Sequence, residues 1–202
     1  MGKMSSTFSK NEGIFLAAAW GVWYPVEKGG MAMALTLWTL QHRDAWEELE
    51  RTGTLRADPD RVWEDFRGAY DWMADQMRAR IGPPPEGVRY PIWAWYQWEG
   101  QRRPMDLRRS GYAPRGTPMV RIELEIDAAQ VLLSEFDRWN IVLGGGVPER
   151  FEGDPAPGRE HIFALDRWTP GWDAPPEEQS IQAVLWELRK EQIRRVRYFT
   201  AK

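Results

Sequence analysis

Five arginines crowd one stretch of an acidic chain: Arg102, Arg103, Arg108, Arg109 and Arg115, in a protein of net charge -3. A guanidinium fork suits phosphate oxygens, so this local reversal of charge points to an anionic ligand; a solvated surface loop is the other reading. The chain also holds 13 tryptophans, which leaves two uses for them. They can build a large aromatic core, or some of them, Trp38, Trp93 and Trp95 among them, can line a pocket for a flat ligand. Glu123 and Glu125 are candidates for paired-carboxylate chemistry, or for a plain solvent-facing sheet surface. There is no cysteine, which removes disulfides, thiolate nucleophiles and cysteine-based metal sites. Only His42 and His161 are histidines, far apart in sequence, so a multi-histidine metal site is excluded. Carboxylates, arginines, hydroxyls and aromatics remain to do any chemistry.

The elements that must position these residues read as an α+β domain. The chain has 202 residues and is 43% hydrophobic, enough for one domain with a real core. No stretch has the apolar length of a membrane span, and bulk charge points to neither a membrane nor a nucleic-acid binder. Residues 1–30 read as an upstream extension that is not part of the native domain, or as an N-terminal helix packed on it. Residues 31–202 form the single domain.

Ala34 to Gln41 is rich in strand formers and short, which predicts a strand. Arg43 to Thr52 predicts a helix ended by Gly53. Asp58-Pro59 opens a longer helix reaching Ile81, with Val62, Phe66, Met73 and Met77 at helical spacing, and Gly82-Pro83-Pro84-Pro85 stops it. Val88 to Trp98 is an aromatic strand in which Pro91 marks an edge or a start. Met119 to Ile126 alternates cleanly as a strand. Ser134 is expected to cap a helix carrying Phe136, Trp139 and Leu143. Residues 144–179 are mostly loop, with one helical turn near His161. The tail from Ser180 to Phe199 carries a helical stripe that propensity favours; strand–turn–strand is the competing reading.

The runs LWTLQ, YPIWAW and IQAVLWEL together resemble an uncharacterised bacterial family, a domain of unknown function, over nearly everything from Met33 onward. More distantly, the order of features resembles the ADP-ribosyltransferase fold, in particular the bacterial DNA-modifying ADP-ribosyltransferase toxins. The matching features are a first strand bearing a polar residue, the helix AWEELERTGTL, and the aromatic strand PIWAWYQWEGQRRPM running into Arg103. A late glutamate, Glu187 in QAVLWEL, and a short final strand complete the set.

That resemblance implies small mixed or antiparallel sheets flanked by helices and NAD as co-substrate. It implies Glu187 and Arg103 as catalytic residues. Thr39, where the toxins usually carry histidine or arginine, would contact the nicotinamide, with Trp38, Gln41, Trp93, Trp95 and Arg102 completing the NAD site. The implied product is ADP-ribose on a nucleic-acid or protein acceptor. Beside the resemblance, a cytoplasmic location, no membrane and no metal are expected, and a toxin-like or interaction protein whose aromatic surface is covered by an inhibitory partner chain is a third reading. A non-catalytic module binding a nucleotide, nucleic acid or carbohydrate by tryptophan stacking and the arginine loop is the alternative.

Overall fold

The computed structural model describes residues 33–148, 158–167 and 173–202. The extension read in residues 1–30 lies outside them. The described chain is α+β, with a six-stranded antiparallel sheet and a two-stranded one. The strands of the large sheet are β1 (Ala34–His42), β3 (Ile92–Gln97), β4 (Pro118–Asp127), β5 (Leu132–Glu135), β6 (Ile181–Leu185) and β8 (Ile193–Thr200). Their order is β5-β6-β3-β1-β4-β8. Thr54–Leu55 (β2) pairs with Leu188–Arg189 (β7) to make the small sheet.

β4 realises the alternation of its sequence. Val120, Ile122, Leu124 and Ile126 are buried on one face, opposite Gln41, Thr39, Leu37 and Leu35 of β1. The helix α1 (Arg43–Thr52) lays Trp46 and Leu49 on this layer. Gly53 then takes φ 81°, where a Cβ is disfavoured, and its N–H closes on the Leu49 carbonyl at 2.8 Å. The chain reverses there into β2, which carries Arg56 to one side of the sheet.

A second core lies on the opposite face at the β5–β6 end. There α2 (Arg67–Arg80) contributes Met73, Ala74 and Met77, and α3 (Phe136–Leu143) contributes Trp139 and Val142, packed with Val184. Buried Arg138 pins α3 to the 3-10 turn Gly158–Phe163. Its guanidinium donates to the carbonyls of His161, Ala164 and Arg167 and to both carboxylate oxygens of Asp173, at 2.8–3.0 Å. The aromatic-core reading holds for Trp46, Trp139 and Trp186, each nearly buried, whereas Trp63 is 74% exposed.

Three expectations are corrected. The tail is strand, turn and strand, not helix. All five residues of β6 are buried because the strand is central and covered on both faces, so they show no alternation, and the apolar run imitates a helical stripe. The helix expected from Asp58 starts at Arg67. Asp58 caps only the short 3-10 turn Pro59–Arg61, and Val62 and Trp63 are extended, which breaks the run. Ser134 is a buried strand residue, and Glu135 caps α3 instead, accepting the N–H groups of Asp137 and Arg138 at 3.1 and 2.7 Å. Pro91 immediately precedes β3, so it costs the central strand no ladder bond.

Candidate active-site cleft

A cleft of about 420 Å³ opens where β1 ends and α1 begins. Gln41 and Trp93 form its floor, Asp44 and Glu48 of α1 one wall, and Arg56 and Arg61 the wall supplied by the chain after Gly53. Tyr70 of α2 closes the far side. The volume falls in the range of small-molecule sites.

The floor is wired to the strand behind it. Thr39 is buried, and its hydroxyl donates to the Trp93 carbonyl at 2.7 Å while accepting from Gln41 Nε2 at 2.8 Å. Thr39 therefore orients Gln41, and Gln41 is the member of the pair that faces the cleft. Trp93 stands against Tyr70 at 5.8 Å and Trp139 at 4.7 Å between ring centroids. Burial pushes the Tyr70 phenol above its ordinary range, with the Trp93 side chain pulling the other way.

The cations of the wall are paired. Arg61 donates to Asp44 at 2.7 Å and lies 3.4 Å from Asp58. The Arg61 guanidinium holds the Asp44 carboxyl below its ordinary range, and Asp44 in turn raises Arg61. Arg56 donates to the Glu86 carbonyl at 3.2 Å and meets Glu187 Oε2 at 3.2 Å.

Glu187 sits in the turn between β6 and β7, with its side chain only 12% exposed. Its other oxygen accepts from Arg189 at 2.8 Å. It lines a smaller hollow of about 220 Å³ shared with Ile81, Pro83 and Trp186, and touches the main cleft through Arg56.

The remaining expected site residues are elsewhere. Trp38 donates its indole N–H to Glu123 at 3.0 Å, and the Arg102 guanidinium lies 5.5 Å from its ring and 3.5 Å from that of Tyr96. Arg102 also donates to the Thr36 carbonyl at 2.8 Å. Trp95 packs edge-on against Trp98 and Phe136. Arg103 is half exposed and 3.4 Å from Glu99, which also binds Arg109. Arg108 forks onto Asp106. Much of the cationic excess of the arginine loop is thus consumed by neighbouring acids. Glu123 and Glu125 do not act as a pair, since Glu123 holds Trp38 and Glu125 binds Arg194 at 2.9 Å. His42 precedes α1 without capping it.

Gln41 and Trp93 are therefore the expected residues that the cleft brings together, with Thr39 behind them and Glu187 one ion pair away. Asp44, Glu48, Arg56, Arg61 and Tyr70 were not singled out from sequence. Their signal was the density of charge on both sides of Gly53 in a segment otherwise read as plain helix and turn. Among the described residues no cluster of three or more His, Asp and Glu is placed to hold a metal ion, and no helix is long and apolar enough to cross a membrane.

Neither curated proteins nor solved structures returned a match to the chain. A family model does match, over residues 36–146, a span that contains every cleft residue named above and stops short of Glu187. The chain belongs to the family defined by this domain of unknown function, DUF3841.

Proposed function

We propose that the cleft takes the nicotinamide end of NAD and that the protein is an ADP-ribosyltransferase-like enzyme modifying a nucleic-acid or protein acceptor. The observation that carries this reading is Arg56, which lines the cleft and holds the nearly buried carboxylate of Glu187. Breaking the bond between nicotinamide and ribose sends the electron pair out with neutral nicotinamide and builds positive charge on the sugar. A carboxylate next to that carbon stabilises the charge, and the acceptor's nucleophilic atom then bonds to it and gives up a proton. Glu187 serves if Arg56 exchanges its carboxylate for the NAD pyrophosphate, which a guanidinium fork fits well. Arg61 offers a second such exchange from Asp44. Gln41 supplies an oriented amide for the carboxamide, and Tyr70 and Trp93 supply flat apolar wall. Arg103 has no part in this version of the site.

Incubation of the protein with labelled NAD and nucleic acid or cell extract tests the reading. Label on the acceptor is the expected result; a folded protein that neither binds NAD nor transfers label ends it. Glu187→Gln should lower turnover at least a hundredfold while NAD affinity stays within a few-fold.

A second reading draws on the ion pairs that occupy both oxygens of Glu187. With that carboxylate spoken for, the cleft becomes a non-catalytic site for a nucleotide, nucleic acid or carbohydrate. Ligand binding without label transfer, indifferent to Glu187→Gln, selects it.

A further inference from the structure

Among the described residues, strand β8 is an edge of the large sheet and pairs only with β4. Among the described residues no backbone hydrogen bond reaches its outer side. Eight residues is long for an open edge, and such an edge is a template for another strand. Its charge is one-sided: residues 189–202 hold six Lys or Arg and one Glu in a chain that is acidic overall. Arg194 is paired with Glu125. Arg195 and Arg197 are exposed and have no ion pair among the described residues.

The placement of these two arginines sharpens the point. Arg197 stands directly opposite Arg121 of β4, and Arg195 opposite Glu123, whose carboxylate also accepts the Trp38 indole N–H. Like charges directly across a ladder repel. Arg121 is half-buried and donates to the Met105 carbonyl at 2.9 Å, which holds its charge at the sheet. The row of Arg121, Arg197 and Arg195 sets three cations against the single carboxylate of Glu123, a local excess of positive charge.

The geometry points to β8 as a docking edge for an extended acidic peptide of a partner protein, which adds as a further strand and sets carboxylates against Arg195 and Arg197. The two arginines are two residues apart on one face, roughly 6.8 Å, the same period at which an added strand presents alternate side chains. Backbone pairing supplies affinity and the alternate acids supply selectivity. The same charges discriminate against self-association, because a second copy of β8 would bring arginine against arginine.

Hydrogen exchange and fluorescence anisotropy on the full chain test this with a labelled peptide of four Glu-Val repeats as probe. Four Lys-Val repeats and an oligo-dT strand serve as comparators. The expected result is saturable binding of the Glu-Val peptide, weakening as salt rises, with new protection of the β8 amides not bonded to β4. The Lys-Val peptide should not bind. Arg195→Glu with Arg197→Glu should lower affinity at least tenfold. The milder pair Arg195→Gln with Arg197→Gln should lower it less, with the far-ultraviolet dichroism of both unchanged. Four outcomes overturn the proposal: no binding of the acidic peptide, binding without β8 protection, preference for oligo-dT, or outer β8 amides already protected in the free chain. None of these readouts involves NAD, so their failure leaves the cleft reading standing.

Discussion

Two arginine–aspartate pairs show how burial changes what one chemistry does. Arg138 and Asp173 are 4% and 13% exposed, and the guanidinium also holds three backbone carbonyls. Arg61 and Asp44 are 50% and 62% exposed, at the mouth of the cleft. Removing one partner of the first pair takes an ion-pair and hydrogen-bond partner from groups largely held away from water, so that pair fixes how α3 meets the Gly158–Phe163 turn. Either partner of the second can turn to solvent or to a ligand at small cost. A site that must release its own ion pair to bind a phosphate needs the second kind.

The contrast can be broken most directly at Arg138. Arg138→Ala should cost about 3–5 kcal/mol in urea unfolding, because Asp173 and the carbonyls lose their donor; a loss below 1 kcal/mol would mean the pin is decorative.

The next effect in size is at the α3 cap. Glu135→Ala should cost about 0.5–2 kcal/mol, since two backbone donors lose their acceptor. Burial, opposed by those two N–H groups, raises the Glu135 carboxyl above its ordinary 4.5. The folded protein therefore holds this proton more tightly than the unfolded chain does. The contribution is complete below about pH 4.5 and is lost as pH rises through the folded value. Glu135→Gln should flatten that fall in a pH series of unfolding.

Smallest is Asp44→Asn, at up to about 1 kcal/mol once screening by water is counted. Here the sign reverses. Arg61 depresses the Asp44 carboxyl below its ordinary 3.8, so the stability it adds is present above that pH and disappears as pH falls through the folded value. If Asp44→Asn proved as costly as Arg138→Ala, the distinction between a structural and an exchangeable pair would fail.

The sequence displayed α1 and β4 because each has one buried and one open face, and the binary pattern carries the period; β1, buried through Leu37, Trp38 and Thr39, was legible from its strand formers and its length instead. It concealed β6, where Ile181 to Leu185 is buried on both faces and five consecutive inward residues have no period to read. It also concealed the break at Val62 and Trp63, since a proline after Asp58 signals a helix start whether the helix lasts one turn or six. The cleft was legible at Gln41 and Trp93 and not at Asp44, Arg56 or Arg61. Those three look like ordinary surface charges until the left-handed Gly53 folds their segments towards one another. The arginine loop misled for the complementary reason: Glu99 and Asp106 lie within it, and spacing does not reveal that they take up Arg103, Arg108 and Arg109.

The strand order has a practical corollary for anyone cutting the gene. The stretch matched by the family contributes β1, β3, β4 and β5, yet β5 and β3 do not touch as neighbours; β6, from beyond residue 146, is inserted between them. A fragment trimmed at that boundary would leave β5 detached and the apolar flank of β3 uncovered. It should be insoluble on expression, and only clones extending through Thr200 would restore every seam of the sheet.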